Sequence, residues 1–235
     1  MLQHLTSALC ATTTLLYEAA LAALARHHEG YQESPLPHMA LPEKQDDVAA
    51  MHQMAQALAQ DAERIVILGT GGSSLGAQVL AQAQTQKQTP DLIFADNLDA
   101  DSFAEILQGD MATTRFFVVS KSGGTAETMM QLGGALLALE AANAKPSHHV
   151  AGIAGSGDNA LRRLARAYDF PLLEHESDIG GRFSVLTNVG LLPAIWAGCD
   201  PQAVRAGARK TMAGLHGTPQ DFEPLKGAAL HLAHM

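Results

Sequence analysis

The chain has 235 residues, of which 47% are hydrophobic and 17% charged, a composition typical of a packed globular protein rather than a disordered or fibrous one. The 15 Lys and Arg against 24 Asp and Glu give a formal net charge of −9, which would repel a phosphodiester backbone, so we expect no nucleic-acid partner. Two cysteines, Cys10 and Cys199, are too few for a disulfide framework, and we interpret both as buried thiols of a protein in the reducing cytoplasm.

No apolar run approaches the roughly 18 residues that a membrane span needs, and the N-terminus lacks the pattern of a signal peptide. We therefore expect a soluble cytoplasmic protein with no membrane partner.

The pattern of apolar residues and prolines in residues 1–60 predicts an N-terminal helical arm. Apolar residues recur at helical spacing from Thr6 to His28, among them Leu15 and Leu16, and this helix is expected to end near Gly30. A proline-containing loop follows, and a second helix is predicted from about Asp46 to Ala62.

Residues 61–198 alternate short apolar runs with helical segments, which is the pattern of a parallel sheet covered by helices on both faces. Five runs are predicted as strands: Arg64 to Leu68, Leu92 to Ala95, Arg115 to Val119, His149 to Ala154 and Phe170 to Leu173. The fold class expected is α/β, with a doubly wound five-stranded parallel sheet. Residues 199–235 are helical again without an obvious strand.

Ligands of such folds bind at the carboxyl ends of the strands, and the loop after the first strand, Gly69 to Gly76, is rich in glycine and leads straight into a helix. Its free N–H groups, with the Ser73 and Ser74 hydroxyls, suit an anion. A plain turn with a serine cap is one alternative. A dinucleotide site with Asp96 as the ribose-binding acid is another, which is disfavoured because Ser74 stands where the third glycine belongs.

The loop after the third strand, Ser120 to Thr128, gathers three hydroxyls and two glycines at a helix start, and a phosphate monoester needs such a set of donors around one point. Two such loops on neighbouring strands would bind one phosphate from both sides. The alternative is a capping box on Thr125, which leaves Ser120 and Ser122 unexplained. Lys121 either supplies charge or is solvated beside Glu127.

A third loop, Asp178 to Ser184, holds Arg182 between a Gly-Gly turn and a helix start. A guanidinium fixed there either faces a ligand anion or pairs with Asp178 or Glu176.

Together the three loops resemble the glucose-6-phosphate isomerase family, which is built from sugar-isomerase (SIS) domains. Gly69 to Gly76 is similar to its first phosphate loop and Ser120 to Thr128 to its second. Ile179 to Leu191 is similar to the first of two signature stretches and is the most specific match. The resemblance runs from about Ile65 to Ala197 and implies one SIS domain over residues 61–198.

The resemblance also implies the roles of individual residues. Arg182 would stabilise the negative oxygen of a cis-enediol, beside Gly71 and Gly181, with no metal or redox cofactor required. The substrate would be a hexose 6-phosphate, and the full-length enzyme would be a homodimer. The phosphate ligands implied are Gly72, Ser73, Ser120, Lys121 through its backbone N–H, Ser122 and Thr125.

Two features depart from the family pattern. Gly123 and Gly124 replace bulkier residues, which leaves mannose 6-phosphate open as a second substrate. Asn188 stands where a smaller residue is more usual, so the start of its helix is expected to pack differently.

The family's base glutamate, ring-opening histidine and second-signature lysine lie in a second SIS domain, and this chain has none of those stretches. An apolar stripe through Leu225, Ala228, Ala229 and Leu232 ends at Met235 with no helix terminator. We expect residues 199–235 to be a helical linker and the chain to be the N-terminal half of a longer isomerase, inactive alone. The alternatives are a stand-alone SIS module that senses sugar phosphate and a nicotinamide-dependent oxidoreductase.

Overall fold

The computed structural model describes residues 11–84, 90–218 and 221–234, which form two compact units. One unit is Lys44–Val204, and the other combines the described residues before Lys44 with those after Val204. Residues 44–60, which the sequence assigned to the helical arm, are therefore grouped with the sheet. Cys10 and the predicted start of the first helix at Thr6 lie outside the described residues.

The Lys44–Val204 unit is built on five parallel strands in the order β2-β1-β3-β4-β5, which confirms the predicted fold class. The strands are β1 (Arg64–Leu68), β2 (Asp91–Ala95), β3 (Thr114–Ser120), β4 (Val150–Ala154) and β5 (Leu172–Glu174). Every residue of β3 is buried, as expected for the middle strand of a sheet that is covered on both faces.

The helices alternate with the strands and continue after them. They are α1 (Ala11–Glu33), α2 (Val48–Ala59), α3 (Leu75–Gln82), α4 (Ala100–Leu107), α5 (Ala126–Ala141), α6 (Pro146–His149), α7 (Ala160–Tyr168), α8 (Asn188–Trp196), α9 (Pro201–Met212) and α10 (Glu223–Ala233). Short 3₁₀ segments are Pro37–Glu43, Gly71–Ser73, Gly181–Leu186 and Ala213–His216.

Two hydrophobic layers hold the sheet between its helices. On one face, Ile65 and Phe117 pack with apolar residues of α2 and α8. On the other, Val66 and Phe116 pack with apolar residues of α5 and α7. Successive strand residues point to opposite faces, so the unbroken apolar runs seen in the sequence supply both layers at once.

The chain's single tryptophan, Trp196, lies in the first of these layers. Its ring meets that of Phe117 edge-to-face at a centroid distance of 5.1 Å, and its indole N–H donates to the Ala55 carbonyl at 3.0 Å. The hydrogen bond satisfies the one polar atom of a side chain that is only 5% exposed. Trp196 thus joins α8 to both the central strand and α2.

The second unit has a small core of its own. Leu215, Phe222 and Leu225 are buried together, with Leu21 and Leu24 of α1 against them. Helix α1 packs along α10.

The structure also changes some sequence-based boundaries. Helix α1 continues past Gly30 to Glu33, and Leu15 and Leu16 on it are 68% and 53% exposed. Leu232 is 49% exposed, so it does not belong to the buried stripe of α10. Cys199 is half-buried rather than buried, and burial raises the pKa of its thiol. No helix among the described residues is long and apolar enough to cross a membrane.

Candidate functional site

The first two loops follow β1 and β3, which are hydrogen-bonded neighbours in the sheet. The chain runs from β1 to β2 on one side and then returns to place β3 on the other side of β1. This is the switch point of a doubly wound sheet, where a crevice opens at the carboxyl ends of the strands and ligands bind. The topology therefore places both predicted phosphate loops at the expected ligand crevice.

Three hydroxyls of the second loop form a cluster. Thr125 Oγ1 lies 3.0 Å from Ser120 Oγ and 3.3 Å from Ser122 Oγ, and the Gly124 N–H donates to Ser122 Oγ at 3.3 Å. Thr125 is the N-cap residue of α5, but its side chain makes no capping hydrogen bond. The capping-box alternative is therefore wrong for this hydroxyl, which points toward the other two instead.

Gly123 gives this loop its shape. Its φ is +61°, a backbone conformation that favours glycine, and a Cβ there would lie 2.0 Å from Asn159 Oδ1. The Gly123 carbonyl also accepts from the Leu161 N–H at 2.8 Å, which ties the loop to α7. Gly124 differs, because a Cβ on it would meet nothing within 4 Å.

The first and third loops are in backbone contact. A Cβ on Gly72 would lie 2.3 Å from the Gly181 carbonyl carbon and 2.6 Å from the Arg182 nitrogen, so only glycine fits. The Ser184 hydroxyl donates toward the Gly181 and Gly72 carbonyls, at 2.6 and 3.2 Å. Because no side chain separates the two loops, the main chain of Arg182 lies directly beside the backbone of the first loop.

Arg182 itself is exposed, with its guanidinium carbon 5.1 Å from the centroid of the Phe183 ring. Of the two carboxylates proposed as its structural partners, Glu176 instead pairs with Lys44 at 2.5 Å, and Asp178 accepts from Ser177 Oγ at 3.1 Å. Neither forms an ion pair with Arg182 in the part of the chain that the structure describes. The structural alternative that paired Arg182 with one of these two carboxylates is therefore wrong.

Residues 174–179, here called the lead segment, run from the end of β5 into the Gly180-Gly181-Arg182 turn. Lys121 of the second loop donates from Nζ to the Ser177 and Ile179 carbonyls, at 2.7 and 2.9 Å. Asn188 at the start of α8 donates from Nδ2 to the Glu174 carbonyl at 2.8 Å. Lys121 is an exposed residue, and its ammonium is bonded to the backbone of the lead segment. Asn188 has a definite packing role at the start of α8.

Within the lead segment, the His175 ring is 2% exposed. Its Nδ1 lies 2.8 Å from the Glu176 carbonyl, and its Nε2 is buried without a partner. Burial lowers the pKa of His175, and the nearby positive charge of Lys121 lowers it further. Both effects favour the neutral form of the ring.

The dinucleotide alternative assigned Asp96 to a ribose. In the structure, Gln78 Nε2 donates to Asp96 Oδ2 at 2.8 Å and to Ser74 Oγ at 2.7 Å. Ser74 is buried and makes no capping hydrogen bond from its side chain. These three side chains fasten α3 to the end of β2, which accounts for both Ser74 and Asp96 structurally.

Sequence reasoning thus placed the candidate site on three loops but missed side chains that tie nearby segments together. Lys44 and Gln78 have no local motif that marks them, because each bonds to a segment distant in sequence. Among the described residues, no group of three or more His, Cys, Asp or Glu side chains is placed to hold a metal ion.

Known proteins resemble this chain over the same region. The phosphoglucose isomerase family model matches residues 47–219. A glucose-6-phosphate isomerase from Rubrobacter xylanophilus is 34% identical over 211 residues, which cover 85% of this chain and 49% of the relative. One from Leptospira biflexa is 32% identical over 188 residues, covering 74% and 42%. The chain thus spans about half the length of the curated relatives it matches.

Solved structures agree in fold. The crystal structure of a hypothetical protein from Thermus thermophilus aligns with a TM-score of 0.79 at 29% identity, over 92% of this chain and 53% of that one. A glucose-6-phosphate isomerase from Chlamydia trachomatis shares the fold, with a TM-score of 0.71 at 23% identity over 94% of this chain and 49% of that one. With the matched family model and its curated relatives, these likenesses show that the chain belongs to the phosphoglucose isomerase family.

Proposed function

We propose that this chain supplies the phosphate-binding loops and the enediol-stabilising arginine of a glucose-6-phosphate isomerase, which interconverts glucose 6-phosphate and fructose 6-phosphate. The observation that carries the proposal is the joining of three loops at one end of the sheet. Gly72 touches the Gly181–Arg182 backbone, and Lys121 ties the hydroxyl cluster to the segment before Arg182.

The hydroxyl cluster suits the 6-phosphate of the sugar. Ser120, Ser122 and Thr125 present three rotatable hydroxyls within hydrogen-bond distance of one another, and they can turn from each other toward phosphate oxygens. The cluster stands at the N-terminus of α5, where the helix dipole favours an anion. Backbone N–H groups of Lys121 and Gly72, with the Ser73 hydroxyl, complete the proposed phosphate site.

Arg182 suits the reacting end of the sugar. Isomerisation moves a proton between C1 and C2 through a cis-enediol, and the oxygen that gains negative charge needs a fixed cation. Gly71 and Gly181 line the space beside it, and their lack of side chains lets the substrate approach the backbone.

The proton itself needs a base. We propose that this base is a carboxylate in the part of the relatives that this chain does not match. The homodimer and the cytoplasmic location stay predictions.

Thermal unfolding tests the proposed binding. A ligand at 100 times its dissociation constant stabilises a protein by about 2.7 kcal/mol, so glucose 6-phosphate should raise the melting temperature measurably. Ser122→Ala and Thr125→Ala should reduce this shift. A response to NAD and none to sugar phosphate would contradict the proposal and favour the oxidoreductase alternative.

A catalytic test separates the isomerase from a sugar-phosphate sensor. With the second half of a relative supplied in trans, the chain should gain turnover, and Arg182→Ala should lower kcat by about 100- to 1,000-fold, the usual effect of removing one oxyanion donor. Equal losses of kcat and of ligand affinity would assign Arg182 to binding alone. Binding with no turnover would favour the stand-alone sensory module.

A further inference from the structure

The lead segment, residues 174–179, is held by two lysines that come from different places. Lys44 precedes α2 and pairs with the Glu176 carboxylate at 2.5 Å. Lys121 belongs to the second loop and donates to the Ser177 and Ile179 carbonyls. Of these two, only Lys121 is part of the proposed phosphate site.

The backbone of Lys121 is fixed on its other side as well. Its carbonyl accepts from the Gly155 N–H at 3.1 Å, and a Cβ on Gly155 would lie 2.3 Å from that carbonyl oxygen. The residue therefore has its main chain anchored at the end of β4 and its ammonium anchored on the lead segment. Lys121 therefore bridges the end of β4 and the lead segment, through its main chain and its side chain respectively.

The lead segment runs directly into the turn that carries Arg182. Ile179, whose carbonyl Lys121 holds, is 4% exposed and stands directly before the Gly180-Gly181-Arg182 turn. Both partners of the ammonium are neutral carbonyls, and an ammonium has three donors, so Lys121 holds two points of this backbone at once.

We propose that Lys121 is a positioning residue, whose side chain couples phosphate binding at residues 120–125 to the ordering of the turn that carries Arg182. The inference rests on the proposed function, because it takes residues 120–125 as the phosphate site. When the 6-phosphate fixes the main chain of this loop, Lys121 fixes the lead segment, and Arg182 is held where the enediol forms. A sugar without the phosphate then meets a less ordered Arg182, so the site selects phosphorylated sugars in the chemical step as well as in binding.

Amide hydrogen exchange with and without glucose 6-phosphate tests this coupling. In the wild-type chain, residues 120–125 should be protected by the ligand, and exchange at 177–182 should slow about tenfold, a factor within the range of one charge-assisted hydrogen bond. In Lys121→Met, with ligand raised until 120–125 are protected, exchange at 177–182 should slow by less than about twofold. Lys121→Arg, which keeps a donor, should restore much of the response.

Lys44→Met is the matched control. It removes a lysine that contacts the lead segment but lies outside the phosphate loop. Amide exchange at 177–182 should therefore be faster overall, while the ratio of the exchange rates without and with ligand stays that of the wild type. Equal ligand-dependent protection of 177–182 in Lys121→Met and wild type would overturn the coupling and leave the proposed function intact. The coupling would also be overturned if glucose 6-phosphate never protected residues 120–125 in Lys121→Met, because the side chain would then act on ligand binding itself. No protection of 120–125 in the wild type would overturn both proposals.

Discussion

Thr125 illustrates how a residue at the N-cap position of a helix can direct its hydroxyl away from the helix backbone. It occupies the N-cap position of α5, yet its hydroxyl lies beside those of Ser120 and Ser122. Thr187 at the start of α8 is a true cap, since its Oγ1 accepts from the Val189 N–H at 3.2 Å. The two threonines stand at equivalent positions of their helices, so they can be compared directly.

Removing each hydroxyl should therefore have different effects. Thr125→Val should weaken glucose 6-phosphate binding about tenfold and lower the free energy of unfolding by less than about 1 kcal/mol. Thr187→Val should lower that free energy by about 1–2 kcal/mol, as loss of a buried cap does. Titration calorimetry and urea unfolding measure the two quantities. A loss of stability at Thr125 as large as that at Thr187 would contradict this assignment.

His175 predicts how stability depends on pH. Its folded-state pKa lies below the ordinary value of 6.5 because the ring is buried, so the unfolded chain binds a proton more readily than the folded one. The contribution of the neutral His175 ring to the free energy of unfolding is complete above pH 6.5, the ordinary pKa of histidine. It is lost as the pH falls from 6.5 toward the pKa of the folded state. Between about pH 7.5 and 5.5, His175→Gln should lose less unfolding free energy than the wild type.

Urea unfolding at the two pH values provides the measurement. His148→Gln, which changes an exposed histidine in the same way, is the control and should keep the wild-type difference. A His175→Gln variant with the full wild-type loss would show that other groups cause it.

At the scale of helices and strands, the sequence predicted the boundaries best where a run of residues belongs to a single element. The bounds of β1 match the prediction, because a continuous apolar run between a polar residue and glycine has few other uses in a parallel sheet. The prediction for β5 began too early, at Phe170. Asp169 ends α7 with φ +56° and the Phe170 N–H donates back to the Ala165 carbonyl, so this apolar residue completes the helix rather than starting the strand.

For the candidate site too, the sequence predicted local features but not contacts between distant segments. Its loops were visible because glycines and hydroxyls cluster locally, whereas the contacts between loops were not. Lys44 and Glu176 are 132 residues apart in the chain, and no local pattern relates them. The direction of the Lys121 side chain was equally inaccessible, because it depends on where β5 places the lead segment in space.

The contact between the first and third loops gives a prediction at this scale. Gly72→Ala forces a methyl group into the Gly181–Arg182 backbone, which should cost roughly 1–3 kcal/mol of unfolding free energy and weaken glucose 6-phosphate binding. Gly124→Ala is the control, since its methyl group meets no atom within 4 Å, and it should change the free energy of unfolding by less than about 0.5 kcal/mol. Equal losses in the two variants would refute the close approach.

At the scale of the whole molecule, the three loops and both hydrophobic layers of the sheet belong to one compact unit, Lys44–Val204. The other unit has a separate, smaller core around Phe222. A unit with its own core can fold alone, so binding should not depend on the helices outside it.

A chain of residues 44–204 should therefore unfold cooperatively and keep the stabilisation by glucose 6-phosphate. Circular dichroism during heating measures both. Noncooperative unfolding of the shortened chain, or loss of the ligand response from a chain that does fold, would contradict this independence of residues 44–204.

The position of Trp196 gives the molecule a built-in optical reporter. The chain has one tryptophan, and it is buried between the central strand and α2 within the unit that carries the loops. Indole emission shifts to longer wavelength when the ring meets water, so selective excitation of this residue records the opening of the sheet unit alone. Absorbance of the peptide bond reports both units together. A difference between the two signals during unfolding would separate the units without any label or substitution.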